Sequence, residues 1–381
     1  MPNANRAPTI LILREQRRIR HSRGILWNLS ESSSKNSDFE PMVSLVPSIR
    51  AVDLTKRFGP NRAIDRISFE VGAGEVVGFL GPNGAGKSTT MRILTGLLSA
   101  SSGEAWVAGR SVAREPAAIR HLIGFMPENN PLPEDMRVTE YLRFRSRIKG
   151  LSRKIRKTRI DEVLELCDLK HGTERKLIGN LSKGYRQRVG IADAILAEPP
   201  IVILDEPTIG LDPHQILGFR QMIQQLRGRM TLVISSHILP EIEKVCDRSV
   251  ILNRGQVVAA GTRSELREVF SPGQTYELRV EGSLSEVEKR IKTVDHSLVL
   301  QDSYREPEGN VRRITFSSNC NTNLVPRIIE SLQGPDLPVI QEIRIRRASL
   351  EDIFLAATKR TWKEGGDPSA APRDMEEELS E

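Results

Sequence analysis

Residues 76–89 read Val76-Val77-Gly78-Phe79-Leu80-Gly81-Pro82-Asn83-Gly84-Ala85-Gly86-Lys87-Ser88-Thr89. A short apolar run stops at a glycine-rich turn. The turn opens a helical pattern whose apolar positions are Met91, Ile93, Leu94, Leu97 and Leu98. The spacing from Gly81 to Gly86-Lys87-Ser88 is that of a phosphate-binding loop, G-x-x-x-x-G-K-[ST]. Glycines let the backbone curl until successive N–H groups converge on one anion, and the helix behind adds the positive end of its dipole. Lys87 is then expected to reach the β- and γ-phosphates of a nucleoside triphosphate, with the Ser88 hydroxyl on Mg2+. The whole loop, Gly81, Pro82, Asn83, Gly84, Ala85, Gly86, Lys87, Ser88 and Thr89, is expected to line that site. A strand before and a helix after predict an α/β fold.

Outward from this loop the pattern stays regular. Ile49, Ala51 and Leu54, then Ile67, Phe69 and Val71, alternate around a turn at Gly59-Pro60-Asn61, as strands do. Downstream, residues 103–109 and Ile123-Gly124-Phe125-Met126 predict strands, and Pro127 to Pro133 a loop. Thr139 is expected to cap a helix beginning at Glu140. Ile160, Val163, Leu164 and Cys167 mark one buried helical face, and the basic run from Arg143 to Arg159 reads as a solvated one. Ile201-Val202-Ile203-Leu204 and Met230-Thr231-Leu232-Val233-Ile234 are continuous apolar runs, the mark of buried parallel strands. They end in Asp205-Glu206-Pro207 and Ser235-Ser236-His237, which puts carboxylates and a histidine at the C-terminal edge of a parallel sheet.

Composition narrows the classes. The chain has 381 residues, 28% charged and 38% hydrophobic, as ordinary globular proteins do. Its net charge of +7 is spread along the sequence, and aromatics are only 4%, so no basic and aromatic nucleic-acid surface stands out. Cys167, Cys246 and Cys320 stand far apart without metal-ligand spacing, which fits a reducing compartment. No apolar run reaches the roughly 20 residues of a membrane-spanning helix, so another chain would have to supply a span. Residues 1–46 are rich in Arg and Ser and read as a disordered extension, with a transit peptide or a natural start at Met42 as the alternatives. After about Leu266 the texture shifts to alternating strands and amphipathic helices, expected as a small α+β domain over residues 273–360. Residues 361–381 read as a disordered acidic tail.

A second motif separates this chain from other phosphate-loop proteins. Leu181-Ser182-Lys183-Gly184-Tyr185-Arg186-Gln187-Arg188 precedes a helical pattern and lies one helix ahead of Asp205. Together with Gly210-Leu211-Asp212 and His237, in this order, it makes residues 48 to about 265 resemble the ATP-binding subunit of an ABC transporter. The C-terminal part, ending Ser349-Leu350-Glu351-Asp352-Ile353-Phe354, looks like the accessory domain of the ABC-2 exporter type. Met126-Pro127-Glu128-Asn129-Asn130-Pro131 is similar to the gliding-motility and multidrug-export group.

The resemblance implies a P-loop NTPase (RecA-like) parallel-sheet core with an N-terminal antiparallel β part and an inserted α-helical subdomain. These lie within an ATP-binding domain over residues 47–266, followed by the small C-terminal α+β domain. It implies ATP and Mg2+ as cofactors, with Ser88, Asp205 and Glu128 at the metal. Glu206 is the implied general base, His237 the contact to the γ-phosphate, and Phe58 a stack on adenine, core packing being the alternative for Phe58. Ser182, Gly184 and Asp212 are implied to serve the nucleotide of a second copy in a head-to-tail dimer. Glu128 stands where most of the family has glutamine, and Lys183 and Tyr185 replace a glycine and a glutamine of the signature. The implied function is ATP hydrolysis that drives a separate membrane permease, as an exporter subunit on the cytoplasmic face of the cell membrane, with no nucleic acid expected. The alternatives are a soluble ABC ATPase acting on ribosomes or nucleic acid, and a non-catalytic ATP sensor.

Overall fold

Alternating apolar residues make β1 (Ile49–Phe58) and β2 (Asn61–Val71) an antiparallel pair that turns at Gly59-Pro60. The computed structural model describes residues 47–270, 273–306, 311–318, 323–333, 338–346 and 348–365. The expected N-terminal extension, most of the expected acidic tail and Cys320 lie outside them. Next come β3 (Val76–Leu80), α1 (Lys87–Leu94), β4 (Ser102–Val107), β5 (Arg110–Ser111), α2 (Pro116–Leu122) and β6 (Ile123–Met126). Three helices follow, α3 (Val138–Ile148), α4 (Arg153–Leu166) and α5 (Lys183–Ile195). Then β7 (Ile201–Leu204), α6 (Pro213–Leu226), β8 (Thr231–Ser236), α7 (Leu239–Val245), β9 (Arg248–Asn253) and β10 (Gln256–Thr262) alternate.

Among the described residues, these strands form two sheets. One has the order β2-β1-β4-β5 and is antiparallel. The other runs β10-β9-β3-β8-β7-β6, with β9, β3, β8, β7 and β6 parallel to their neighbours. Both faces of β3, β7 and β8 are covered, which is why β3, β7 and the middle of β8 (Leu232–Ile234) are apolar without alternation. One core joins the two sheets through Ile49, Leu54, Ile67, Phe69, Phe79, Met91 and Leu252. Phe69 meets Phe79 edge-on, with ring centroids 4.9 Å apart. Full burial of such a side chain is worth roughly 1.5–3 kcal/mol.

Three local expectations are corrected. The helix expected from Glu140 begins at Val138, because the Glu140 carboxylate reaches back to the Arg137 N–H (3.0 Å) while the Thr139 hydroxyl is taken by the Glu174 carbonyl. Leu97 and Leu98 lie past the end of α1, and Leu97 is exposed. The basic run from 143 to 159 is not simply a solvated face. Arg145 of α3 forks onto the buried Asp193 of α5 at 2.9 and 2.8 Å, with Lys149 3.6 Å away. Arg159 donates to the carbonyl ends of the same helix. Burial pulls the Lys149 ammonium below its ordinary value, although Asp193 opposes the shift.

Cys167 is buried on α4's apolar side, and burial pushes its thiol up to about 12. Burial also raises the Cys246 thiol, and the Asp247 carboxylate adds to the rise. Cys167 is not expected to react with iodoacetamide at pH 8 until the chain is unfolded, as peptide mass mapping would read. Labelling of Cys167 in the native protein would contradict that burial.

Contacts divide the chain into one unit ending at Ala260 and a second beginning at Gly261. The sequence places this seam between residues 266 and 273. The difference is α8 (Arg263–Phe270), whose Arg267 donates to the Ala348 carbonyl at 2.7 Å within the second unit. That unit continues as β11 (Gln274–Glu281), α9 (Leu284–Val294), β12 (Val299–Arg305), β13 (Val311–Ser318), α10 (Val325–Leu332) and β14 (Val339–Arg346), and closes with α11 (Leu350–Gly365). Strand order β12-β13-β11-β14, all antiparallel, is the split βαβ arrangement. Tyr276, Leu278, Val280, Val287, Ile291, Ile314, Phe316 and Ile328 fill its separate core. The α11 helix runs to Gly365, five residues into the stretch expected as a tail.

Candidate active site

The order β3-β8-β7-β6 sets four parallel strands side by side, and each delivers a polar group where it ends. The phosphate loop follows β3, His237 follows β8, Asp205 and Glu206 follow β7, and Glu128 follows β6. A cleft of about 460 Å3 is lined by Pro82 to Thr89, Glu128, Glu206 and His237, with Ala63 and Ile209 at its walls. Gly86 enters α1 at φ 102°, and a Cβ there would stand 2.7 Å from the Ala63 carbonyl. A side chain is therefore excluded by both backbone and space.

Inside the cleft the charged groups already hold one another. The Lys87 ammonium donates to the Gly81 carbonyl at 2.7 Å and the Pro82 carbonyl at 3.3 Å, and lies 3.4 Å from Glu206 Oε1. The other carboxylate oxygen, Oε2, is 2.8 Å from His237 Nδ1. Lys87 and Glu206 are both buried, whereas the His237 side chain is partly exposed. Glu206 leaves the sheet with φ 50°, a left-handed backbone uncommon for a residue with a Cβ. Its N–H is satisfied by the Ser235 hydroxyl oxygen at 2.8 Å. The same hydroxyl donates to Asp205 Oδ1 at 2.5 Å. Asp205 is buried behind the cleft rather than on its wall.

Besides Gly81 and Asp205, four expected residues lie outside the cleft lining. Phe58 ends β1 half-exposed, with Lys56 Nζ 5.1 Å from its ring centre, so it is not a core residue. Ser182 caps α5 by accepting the Tyr185 N–H. Gly184, next to it, faces Gln215 so closely that a Cβ would lie 2.0 Å from Oε1. Gln215 in turn exchanges hydrogen bonds with Asp212, at 2.8 and 3.4 Å, in the capping box of α6. The Lys183 stem lies along Gly210, whose φ of 74° suits a glycine.

Ala63, Ile209 and Ser235 carry no sequence signal of their own. Ala63 is a small residue in an edge strand, Ile209 an apolar residue in a loop, and Ser235 a serine at a strand end.

Among the described residues no three His, Cys, Asp or Glu side chains gather into a metal cage. Ser88 and Glu128 on the cleft wall, with Asp205 behind it, are donors of the kind Mg2+ takes, one or two carboxylates with the rest of its shell from water and phosphate oxygens.

The ABC transporter family model matches residues 64–209. The chain is 35% identical over 309 residues to the bacitracin transport ATP-binding protein BcrA of Bacillus licheniformis, covering 81% of this chain and 96% of BcrA. It is 31% identical over 311 residues to the daunorubicin resistance ATP-binding protein DrrA2 of Streptomyces coeruleorubidus, covering 81% and 94%. The chain belongs to the ABC transporter ATP-binding proteins. Among solved structures it resembles an ATP-binding subunit of an ABC transporter, with 33% identity, TM-score 0.54, and 58% of this chain against 92% of that one. It also resembles a bacterial ABC transporter cassette solved as a dimer, with 26% identity, TM-score 0.53, and 56% against 98%. The same cassette is also known bound to ADP and Pi after hydrolysis. This ABC subunit binds and hydrolyses ATP. Among its described residues no helix is long and apolar enough to cross a membrane.

Proposed function

We propose that two copies of this chain close head-to-tail on two ATP molecules and so drive a separate membrane permease, as the motor of an exporter on the cytoplasmic face of the cell membrane. The observation that carries the reading is the split of the expected groups. Lys87, Glu206 and His237 meet over the phosphate loop, while Ser182, Gly184 and Asp212 stand together away from it. A site with its second half on another surface is one that a second copy completes.

In this reading Phe58 stacks on the adenine, and Gly81 to Thr89 wrap the phosphates. Ser88, Asp205 and Glu128 would hold Mg2+, which would neutralise charge on the phosphates. On ATP arrival Lys87 turns from Glu206 to the phosphates, and His237 to the γ-phosphate. Glu206, released, takes the proton of the attacking water; the water oxygen bonds to the γ-phosphorus as its bond to the ADP oxygen breaks. Ser182 and Gly184 of the second copy cap the γ-phosphate, so its loss removes the contact that favours the closed pair. Relatives named for bacitracin transport and daunorubicin resistance support an export role for the permease partner.

Mixing two inactive variants tests the pairing. Lys87→Ala spoils one half of the site and Ser182→Arg the other. Each alone is expected to be inactive, and the equimolar mixture to recover ATP turnover, because a mixed pair contains one intact site. A mixture as inactive as its components would sink the head-to-tail reading.

A further inference from the structure

Ser235 has no assigned part in this site, yet it touches both acidic residues that end β7. It is fully buried at the end of β8, the strand between β3 and β7. A hydroxyl has one proton to give, and its two neighbours fix where it goes. The Asp205 carboxylate can only accept and the Glu206 N–H can only donate. Ser235 therefore gives its proton to Asp205 Oδ1 (2.5 Å) and takes the Glu206 N–H on its oxygen (2.8 Å). The Asp205 backbone is tied separately, its N–H donating to the Met126 carbonyl at 2.9 Å. Glu206 has no such ladder bond to fall back on, because its left-handed backbone takes it out of the sheet, and the serine oxygen is the acceptor that its N–H has found.

We propose that Ser235 is a positioning residue for ATP hydrolysis, a single hydroxyl that sets the carboxylate of Asp205 toward the metal and holds the Glu206 backbone in the conformation that presents its side chain. It rests on the roles proposed above for Asp205 and Glu206. The neighbouring Ser236 supplies the contrast: its hydroxyl accepts the Ile238 N–H at 2.9 Å and serves only the turn into α7. Two buried groups with opposite demands converge on Ser235, and a side chain without a hydroxyl satisfies neither.

The test uses the full chain and a volume-matched pair, Ser235→Thr and Ser235→Val, which differ in the hydroxyl and little in shape. Two quantities are measured: the turnover number at saturating ATP, and the factor by which Mg2+ tightens binding of a non-hydrolysable ATP analogue relative to EDTA. Groups that orient a metal ligand change affinity or activity by about 10–100-fold when removed, so Ser235→Val is expected to lose about tenfold or more in turnover and most of the Mg2+ enhancement. Analogue binding in EDTA is expected to stay within about twofold, since the phosphate loop is untouched. Ser235→Thr is expected to recover both quantities, and Ser236→Ala to leave both unchanged. A valine variant matching the threonine variant in turnover and Mg2+ enhancement would overturn the proposal, as would equal loss of analogue binding with and without Mg2+. If Glu206→Gln itself keeps wild-type turnover, the parent assignment fails. If Glu206→Gln is inactive and Ser235→Val is not, only the role of Ser235 fails.

Discussion

Glu206→Gln is expected to lower ATP turnover by about 10²–10⁴-fold, the usual contribution of a positioned general base, while ATP still binds. The amide keeps the size of the carboxylate and its contact to His237 Nδ1, now 2.8 Å from Oε2, but cannot take a proton from water. Removing the charge also weakens the hold on Lys87, which lies 3.4 Å from Oε1. ATP is therefore expected to bind the variant more tightly than wild type, and the pair to accumulate in its closed form. Single-turnover hydrolysis and size-exclusion chromatography with ATP read the two effects. Wild-type turnover in this variant would remove Glu206 from the role of base.

The second large effect is expected from Lys87→Ala, with the opposite sign on binding. The ammonium is buried and held by two loop carbonyls, so it stands within the loop. Truncating one partner of a buried charged contact costs about 2–5 kcal/mol, so ATP affinity is expected to fall by roughly a hundredfold or more. Even without nucleotide the change is felt, because Glu206 keeps His237 but loses its cation. Equilibrium binding by fluorescence and a melting curve without ATP read the two consequences. Affinity within threefold of wild type would mean that Lys87 does not engage the phosphates.

What the sequence made legible followed from local physics. The loop from Gly81 to Thr89 declares itself because only glycine fits at Gly86, and because lysine and serine follow at fixed distances. Ile201–Leu204 and Ile123–Met126 were visible as strands because burial on both faces leaves no polar position. The order of strands was not visible, since parallel pairing depends on contacts between segments far apart in the chain. Nor was Ser235, which looks like any serine ending a strand until β8 is set beside β7. The contact seam at Ala260 differs from the boundary the sequence suggests for a related reason. The α8 helix follows β10 without a break in pattern, and contacts such as Arg267 reaching Ala348 show where it belongs. Arg145 and Lys149 likewise read as solvent-facing until Asp193 comes up against them from another helix.

The close fit of Gly184 against Gln215, and the double link from Gln215 to Asp212, has a mechanical consequence. The two patches that this chain would lend to its partner are not independent fingers; one residue, Gln215, joins them. A displacement of α5 that withdraws Ser182 from one phosphate must also drag Asp212 across the seam between the copies. Under the head-to-tail pairing the partner's cleft is then gripped or released by both patches at once.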